Sequence, residues 1–307
     1  MADHDVYSYG VIASSTFYLL KDNFPTRSGY AEITEKYRNI GGEAANTSIV
    51  LSRLGLTVKL DGNWINPDED ADFLQDFFGE NNVDISRISF RRCLGPKEML
   101  VVDSDSRTIF GTYAQLLEEK SWNLPEKFDV QNAKVICLDP FFGEASLQVA
   151  NYAAAFDRPI VTVDCRLDDP IFIAADVAII SEEYMGYTYP DQSISSVTQD
   201  YKASSSGTVI FTFGHQEILF GSRDEAFRRF TPYRINPVDT AGAGDSFRAG
   251  IIFGLLKKWP IGKTIEFAAA LAAIVCQSFP GVLNSPSYDE VVSFLRDHEA
   301  SEHWAKR

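Results

Sequence analysis

Between Val135 and Phe213, short strand-like apolar runs alternate with helical stretches, and this alternation restricts the fold more than any other feature of the chain. Val135–Leu138, Ile160–Val163, Val177–Ile180 and Thr208–Phe213 read as strands, with helices over about 144–156 and 194–204 between them. Such βαβ units place their strands side by side in a mostly parallel sheet with helices on its faces. Val6–Ile12 and 57–62 add further strands, and Glu43–Leu54, Pro67–Glu80, 243–257, 262–278 and 287–298 add helices, with a β-hairpin region over 216–236. A chain of 307 residues, 45% hydrophobic and 23% charged, can bury a large core as one α/β domain or two smaller ones.

Two segments break the pattern. Residues 16–39 carry Ser, aromatic and turn residues and then the ribbon-like Tyr30–Ile40. Residues 91–114 read as a hairpin, Lys97–Asp103 and Arg107–Tyr113, around the turn chemistry of Asp103-Ser104-Asp105-Ser106. The two pieces are expected to pair as one small sheet set on an α/β body formed by 1–15, 40–90 and 115–307. In the helix 67–80, Phe73, Leu74, Phe77 and Phe78 read as core and Asp68–Asp72 as a solvated, dipole-matched start.

Charge and composition exclude several functions. Forty-three acidic against 28 basic residues give a formal charge of −15, which repels polyanions, so nucleic acid is not an expected partner. Apolar runs such as 249–256 and 265–276 are too short to cross a bilayer, and Asp3, His4 and Asp5 stand where a signal peptide wants Lys or Arg, so the expected compartment is the cytoplasm with no membrane partner. Cys93, Cys137, Cys165 and Cys276 show no metal-ligand spacing and read as reduced thiols.

The chemistry concentrates in Asn236-Pro-Val-Asp239-Thr-Ala-Gly242-Ala243-Gly244-Asp245-Ser-Phe247, which runs into an amphipathic helix. Small residues ahead of a helix let an anion approach its free N–H groups, and the dipole favours negative charge there. An Asp at that point is held beside a bound phosphate, where it can take a proton from an attacking hydroxyl. The competing reading is a capped helix after a permissive turn.

The string DTAGAGD at 239–245 resembles the C-terminal signature of the ribokinase-like (PfkB) carbohydrate kinases. Gly41-Gly42-Glu43-Ala44-Ala45-Asn46, followed by a helix and Leu54-Gly55, resembles the N-terminal signature, and Phe24-Pro25-Thr26 with the strand to Ile40 resembles the family's lid. The resemblance covers essentially the whole chain. It implies a three-layer α/β fold with a β-sheet lid, ATP and Mg2+ as cofactors, and transfer of the γ-phosphoryl group to a sugar or polyol hydroxyl. By it Asp245 is the catalytic base and Gly242, Ala243 and Gly244 the anion hole. Gly41, Gly42 and Asn46 bind the sugar, Ser181, Thr212 and Gly214 line the nucleotide, and Asp239 with the backbone near Ala241 belongs to a monovalent-cation (K+) site. Pairing of lid strands between subunits implies a homodimer.

Departures from the pattern shape the remaining expectations. The Asp that grips sugar hydroxyls after the first strand is replaced by Ser15, a neutral and weaker partner, so the substrate is expected to be unusual, with a charged or modified sugar favoured, or to be gripped from elsewhere by Asp139. The NxxE motif that organises Mg2+ is replaced by Ser181-Glu182-Glu183-Tyr184, leaving Glu182, Glu183 and Asp164 as candidate carboxylates. In the TFG turn the usual second glycine is Glu217, and His215 reads as a surface residue. These departures leave a second reading open, a catalytically weak member acting as a ligand sensor or partner protein. A dinucleotide-binding dehydrogenase is set aside, because no GxGxxG follows the first strand.

Overall fold

The computed structural model describes residues 3–103, 107–298 and 303–304. Its strands are, in chain order, β1 (His4–Gly10), β2 (Ala13–Leu20), β3 (Ile33–Gly41), β4 (Val58–Gly62), β5 (Val83–Asp84), β6 (Lys97–Val102), β7 (Arg107–Gly111), β8 (Ala133–Leu138), β9 (Ile160–Val163), β10 (Val177–Ser181), β11 (Thr208–Thr212), β12 (Ile218–Gly221) and β13 (Arg228–Phe230).

Nine of them form one sheet in the order β13-β12-β11-β10-β9-β8-β1-β4-β5, parallel from β11 through β5, with β12 and β13 added antiparallel at one edge. Alternate side chains enter two separate cores, which is what a strand period of two requires when both faces are covered. Val135, Cys137, Val177 and Ile179 pack with the helices Glu43–Arg53, Glu69–Glu80, Ala243–Leu256 and Ile261–Cys276. Their neighbours Ile136, Leu138, Ala178 and Ile180 pack on the other face with the helices Glu144–Ala155 and Ile194–Ser204. The result is a three-layer α/β body.

A second sheet, β3-β2-β6-β7, joins the two interrupting segments through parallel pairing of β2 with β6. The first strand therefore ends at Gly10, two residues before the expected Ile12, because the chain turns at 11–12 and enters this small sheet at Ala13. Residues 104–106 of the expected turn lie outside the described residues. The acidic start of the helix Glu69–Glu80 is not simply solvated: Asp70 pairs with Arg38 of β3 and with Lys97 of β6 (2.5 Å), fastening the small sheet to the body. Its inner face packs Phe17, Leu100 and Val102 on Ala241 and Phe279. The short helices Ala114–Glu119, Lys127–Gln131, Pro170–Ala174 and Glu182–Thr188 had no periodicity long enough to announce them.

The helix Ala243–Leu256 crosses Ile261–Cys276 so closely that a Cβ on Gly250 would lie 2.5 Å from Ala268 Cα, whereas one on Gly79, in the helix Glu69–Glu80, would meet nothing within 4 Å. Gly250→Ala is expected to lose about 1–2 kcal/mol, since overpacking outweighs the roughly 1 kcal/mol gained in helix propensity. Gly79→Ala is expected to gain about 0.5–1 kcal/mol. Urea unfolding of both variants checks the pair, and equal stabilisation of the two would contradict the close crossing.

Candidate active site

The carboxyl ends of β1, β4, β8, β9, β10 and β11 open on one side of the sheet, and β1 sits between β8 and β4, where the strand order reverses. Crevices at such a point are where open α/β sheets take ligands. Two helices start there. Gly42 precedes Glu43–Arg53 with φ +88°, and its Cβ would lie 2.3 Å from Val11 O; Gly242 precedes Ala243–Leu256 with φ +76°, and its Cβ would lie 2.0 Å from Val282 Cγ2. Only glycine combines this backbone with such close approach.

Asp245 lies in the first turn of the second helix, and Asn46 Nδ2 of the first helix donates to its Oδ2 at 2.8 Å. The two signatures, 199 residues apart, thus meet in one hydrogen bond. Burial pushes the Asp245 carboxyl up to about 6, against the opposing effects of Arg248 and the Asn46 bond, with Asp139 and Glu98 adding to the rise. Glu43 is raised as well, by burial first and then by Asp139 and Asp245. Asn46 Oδ1 and Arg248 Nη2, one acceptor and one donor, are buried without hydrogen-bond partners. Buried polar atoms are rarely left so, and here both belong to residues bonded to Asp245 or one turn from it.

Asp139 does not face the cleft as a sugar ligand. It is fully buried; Oδ1 pairs with Arg248 Nη1 at 2.6 Å, and Oδ2 accepts from Val11 N (2.8 Å) and Ala44 N (3.1 Å). Arg248 Nε also donates to Thr47 Oγ1 at 3.0 Å. Ser15, likewise fully buried, donates to Glu98 Oε2 at 2.5 Å, and Tyr113 OH donates to Glu98 Oε1. A Cβ on Gly41 would lie 1.9 Å from Glu98 Oε2, so this carboxylate rests directly over the glycine pair.

On the expected nucleotide side, the Ser181 and Thr212 positions pair across β10 and β11, with Gly214 (φ +55°) just beyond in open space. Asp164 accepts from Ser181 N (2.8 Å) and Ser181 Oγ (3.0 Å), and its carboxyl is raised by burial, with Glu183 contributing. Glu182 and Glu183 are exposed. In the glycine string, the Ala243 N–H already donates to Thr240 O at 3.3 Å. Both oxygens of Asp239 accept backbone N–H bonds, from Ala241 at 2.8 Å and Gly281 at 3.3 Å, which fixes the loop. Arg107 of β7 reaches across to Thr240 O.

Sequence reasoning missed Glu98, Tyr113, Arg107, Arg248 and Glu43. Arg248 was within reach, since it follows Asp245 by three on a helix and so shares its face. Glu98 depended on strand register, which no local pattern marks.

The sequence profile of the pfkB family carbohydrate kinases matches residues 4–287. A 5-dehydro-2-deoxygluconokinase of Geobacillus thermodenitrificans is 32% identical over 121 residues, 39% of this chain but only 35% of that protein's length. One of Clostridium botulinum (strain Alaska E43 / Type E3) is 24% identical over 287 residues, 84% of each chain. Among solved structures, the Arabidopsis thaliana ribokinase complexed with ribose and ATP superposes with a TM-score of 0.80 at 16% identity, over 96% of this chain and 99% of that one. Two glycine-led helices joined through Asn46 and Asp245, on a sheet of this order and within a match of this extent, make the chain a member of the pfkB family of carbohydrate kinases.

Proposed function

We propose that this protein transfers the γ-phosphoryl group of ATP to a hydroxyl of a sugar or sugar-like polyol, with Asp245 as general base. The observation that carries the reading is the position of Asp245: in the first turn of a glycine-led helix, hydrogen-bonded to Asn46, with a carboxyl raised to about 6. A base near neutral pKa takes a hydroxyl proton more effectively than an ordinary aspartate and is still ionised at pH 7. The amides of Gly242 and Gly244, next to the helix start, are aimed at developing phosphoryl charge, and the helix dipole supports them. Gly41, Gly42 and the free Asn46 Oδ1 receive the sugar.

The ATP of the related Arabidopsis ribokinase complex supports ATP as donor, placed along Ser181, Thr212 and Gly214. Mg2+ bound to ATP would neutralise phosphate charge. No group of three or more His, Cys, Asp or Glu suited to a metal occurs among the described residues, so such an ion would be held chiefly by phosphate oxygens and water, with Asp164 and Glu183 as outer carboxylates. Asp239 serves as a loop anchor compatible with K+ nearby. The sheet β3-β2-β6-β7 acts as the lid: Lys97 and Arg38 on Asp70, and Arg107 on Thr240, are the contacts through which it closes and keeps water from the phosphoryl group.

Asp245→Asn keeps the hydrogen bond to Asn46 available and removes the proton acceptor. Its kcat is expected to fall by about 10²–10⁴, with ATP and sugar affinity changed by less than roughly tenfold. Near wild-type kcat in steady-state assays of ADP release would sink the assignment.

The pH profile is a second check. The base must be ionised, so kcat/KM is expected to be flat above neutrality and to fall about tenfold per unit below about pH 6, where a solvated aspartate near 3.8 would hold activity to about pH 4. Because the folded-state pKa is raised above the unfolded value, Asp245 favours the folded state less as pH climbs through the window 3.8 to 6. The Asn variant is therefore expected to be no less stable than wild type at pH 7, and thermal melting at pH 5 and 7 separates lost chemistry from lost folding.

A further inference from the structure

A sugar kinase must grip the hydroxyls beside the one it phosphorylates, and in this chain the residue at that place, Ser15, is a neutral group already committed as a donor. We infer that Glu98, carried on the lid strand β6, is the specificity-determining carboxylate that holds two neighbouring substrate hydroxyls, and that the substrate is a neutral, hydroxyl-rich sugar rather than a sugar acid. The inference rests on the kinase reading above.

Register brings the residue there. Parallel pairing of β2 with β6 sets Ser15 against Glu98, so the two side chains share a face. Ser15 Oγ donates to Oε2 and Tyr113 OH donates to Oε1, one bond to each oxygen. A carboxylate oxygen accepts two hydrogen bonds, so each retains one free lone pair, and the pair of free positions matches two adjacent hydroxyl donors. Oε2 itself occupies the place that a Cβ on Gly41 would take, so glycine at 41 is what lets the carboxylate settle there. Gly41, against which Oε2 lies, directly precedes the helix start at Gly42, and Asn46 of that helix bonds Asp245, so Glu98 and Asp245 stand at the same helix end.

Charge selects the substrate class. Glu98 stands on β6 beside the glycine pair and Asp245 at the start of the helix Ala243–Leu256, while Glu43, raised to about 8 by burial, is largely protonated at neutral pH and Asp139 is cancelled by Arg248, whose guanidinium is fully buried in that pair. A substrate carboxylate would enter against this field, whereas hydroxyls donate into it. The expectation of a charged sugar drawn from Ser15 alone is thereby reversed.

The test combines a panel of neutral sugars and sugar acids, assayed with ATP and Mg2+, with the variants Glu98→Gln and Glu98→Gln/Ser15→Asp, the second of which returns a carboxylate from the neighbouring strand. Wild type is expected to prefer neutral members. Glu98→Gln is expected to raise KM for the best of them about 10–100-fold, the range of a lost charge-assisted bond, with KM for ATP unchanged, and the double variant to recover at least part of that loss. A role confined to tethering the lid strand would move both KM values and would not be rescued by Asp at 15. Preference for sugar acids, or an unchanged sugar KM in Glu98→Gln, overturns the inference while leaving the kinase reading intact. If nothing in the panel is phosphorylated the kinase reading fails, and the melting temperature with each sugar decides Glu98 separately: a neutral-sugar shift present in wild type and lost in Glu98→Gln supports it, and an equal shift or none in wild type overturns it.

Discussion

The ion pair between Asp139 and Arg248, with no solvent exposure on either side, is the constraint around which the cleft is assembled. Burying two charges is costly, and the cost is offset only when geometry and further hydrogen bonds satisfy both partners. Here they largely do. Asp139 at the end of β8 also accepts from Val11, where the chain leaves β1 for the small sheet, and from Ala44 at the start of the helix Glu43–Arg53. Arg248 completes the ring through Thr47. One carboxylate thus fixes two strand ends and two helices at the point where the sheet order reverses, and Asp245, one turn before Arg248, inherits its position from that ring.

The same burial shifts the neighbouring carboxyls. Packing of protein atoms around the meeting point of two helices disfavours ionisation of the half-buried Asp245 and Glu43, and the nearby acids add to the effect. Arg248 and Asn46 hold Asp245 back from a larger shift. The Asp139–Arg248 pair and Asp245 are therefore parts of one electrostatic arrangement.

The small sheet is tied to the body at two places. Arg38 and Lys97 converge on Asp70 at the body's edge, and Arg107 bonds Thr240 in the loop that leads to Asp245. Phe17 and Tyr37 pack edge-on to Phe279 between these polar contacts. Exposed ion pairs of this kind are individually weak and reversible.

Local sequence was enough for the α/β body, because each βαβ unit carries its own periodicity: Ile160–Val163 and 194–204 occupy the strand and helix their patterns indicate. It was also enough for the two glycine-led helix starts, since a positive φ and close approach leave no alternative to glycine at 42 and 242. Short elements such as Pro170–Ala174 escaped, having too few residues for a period to show. What only the tertiary structure decided was the partner of each charged side chain. Asp139 looked like a ligand and proved to be an anchor, because its acceptor role was taken by an arginine 109 residues away. Glu98 looked like an ordinary strand residue and lies against Gly41, because parallel register set it beside Ser15 across 83 residues. Periodicity and backbone conformation are properties of neighbouring residues and can be read in order along the chain; pairing between distant charges depends on how whole strands and helices dock, and exists only once they have.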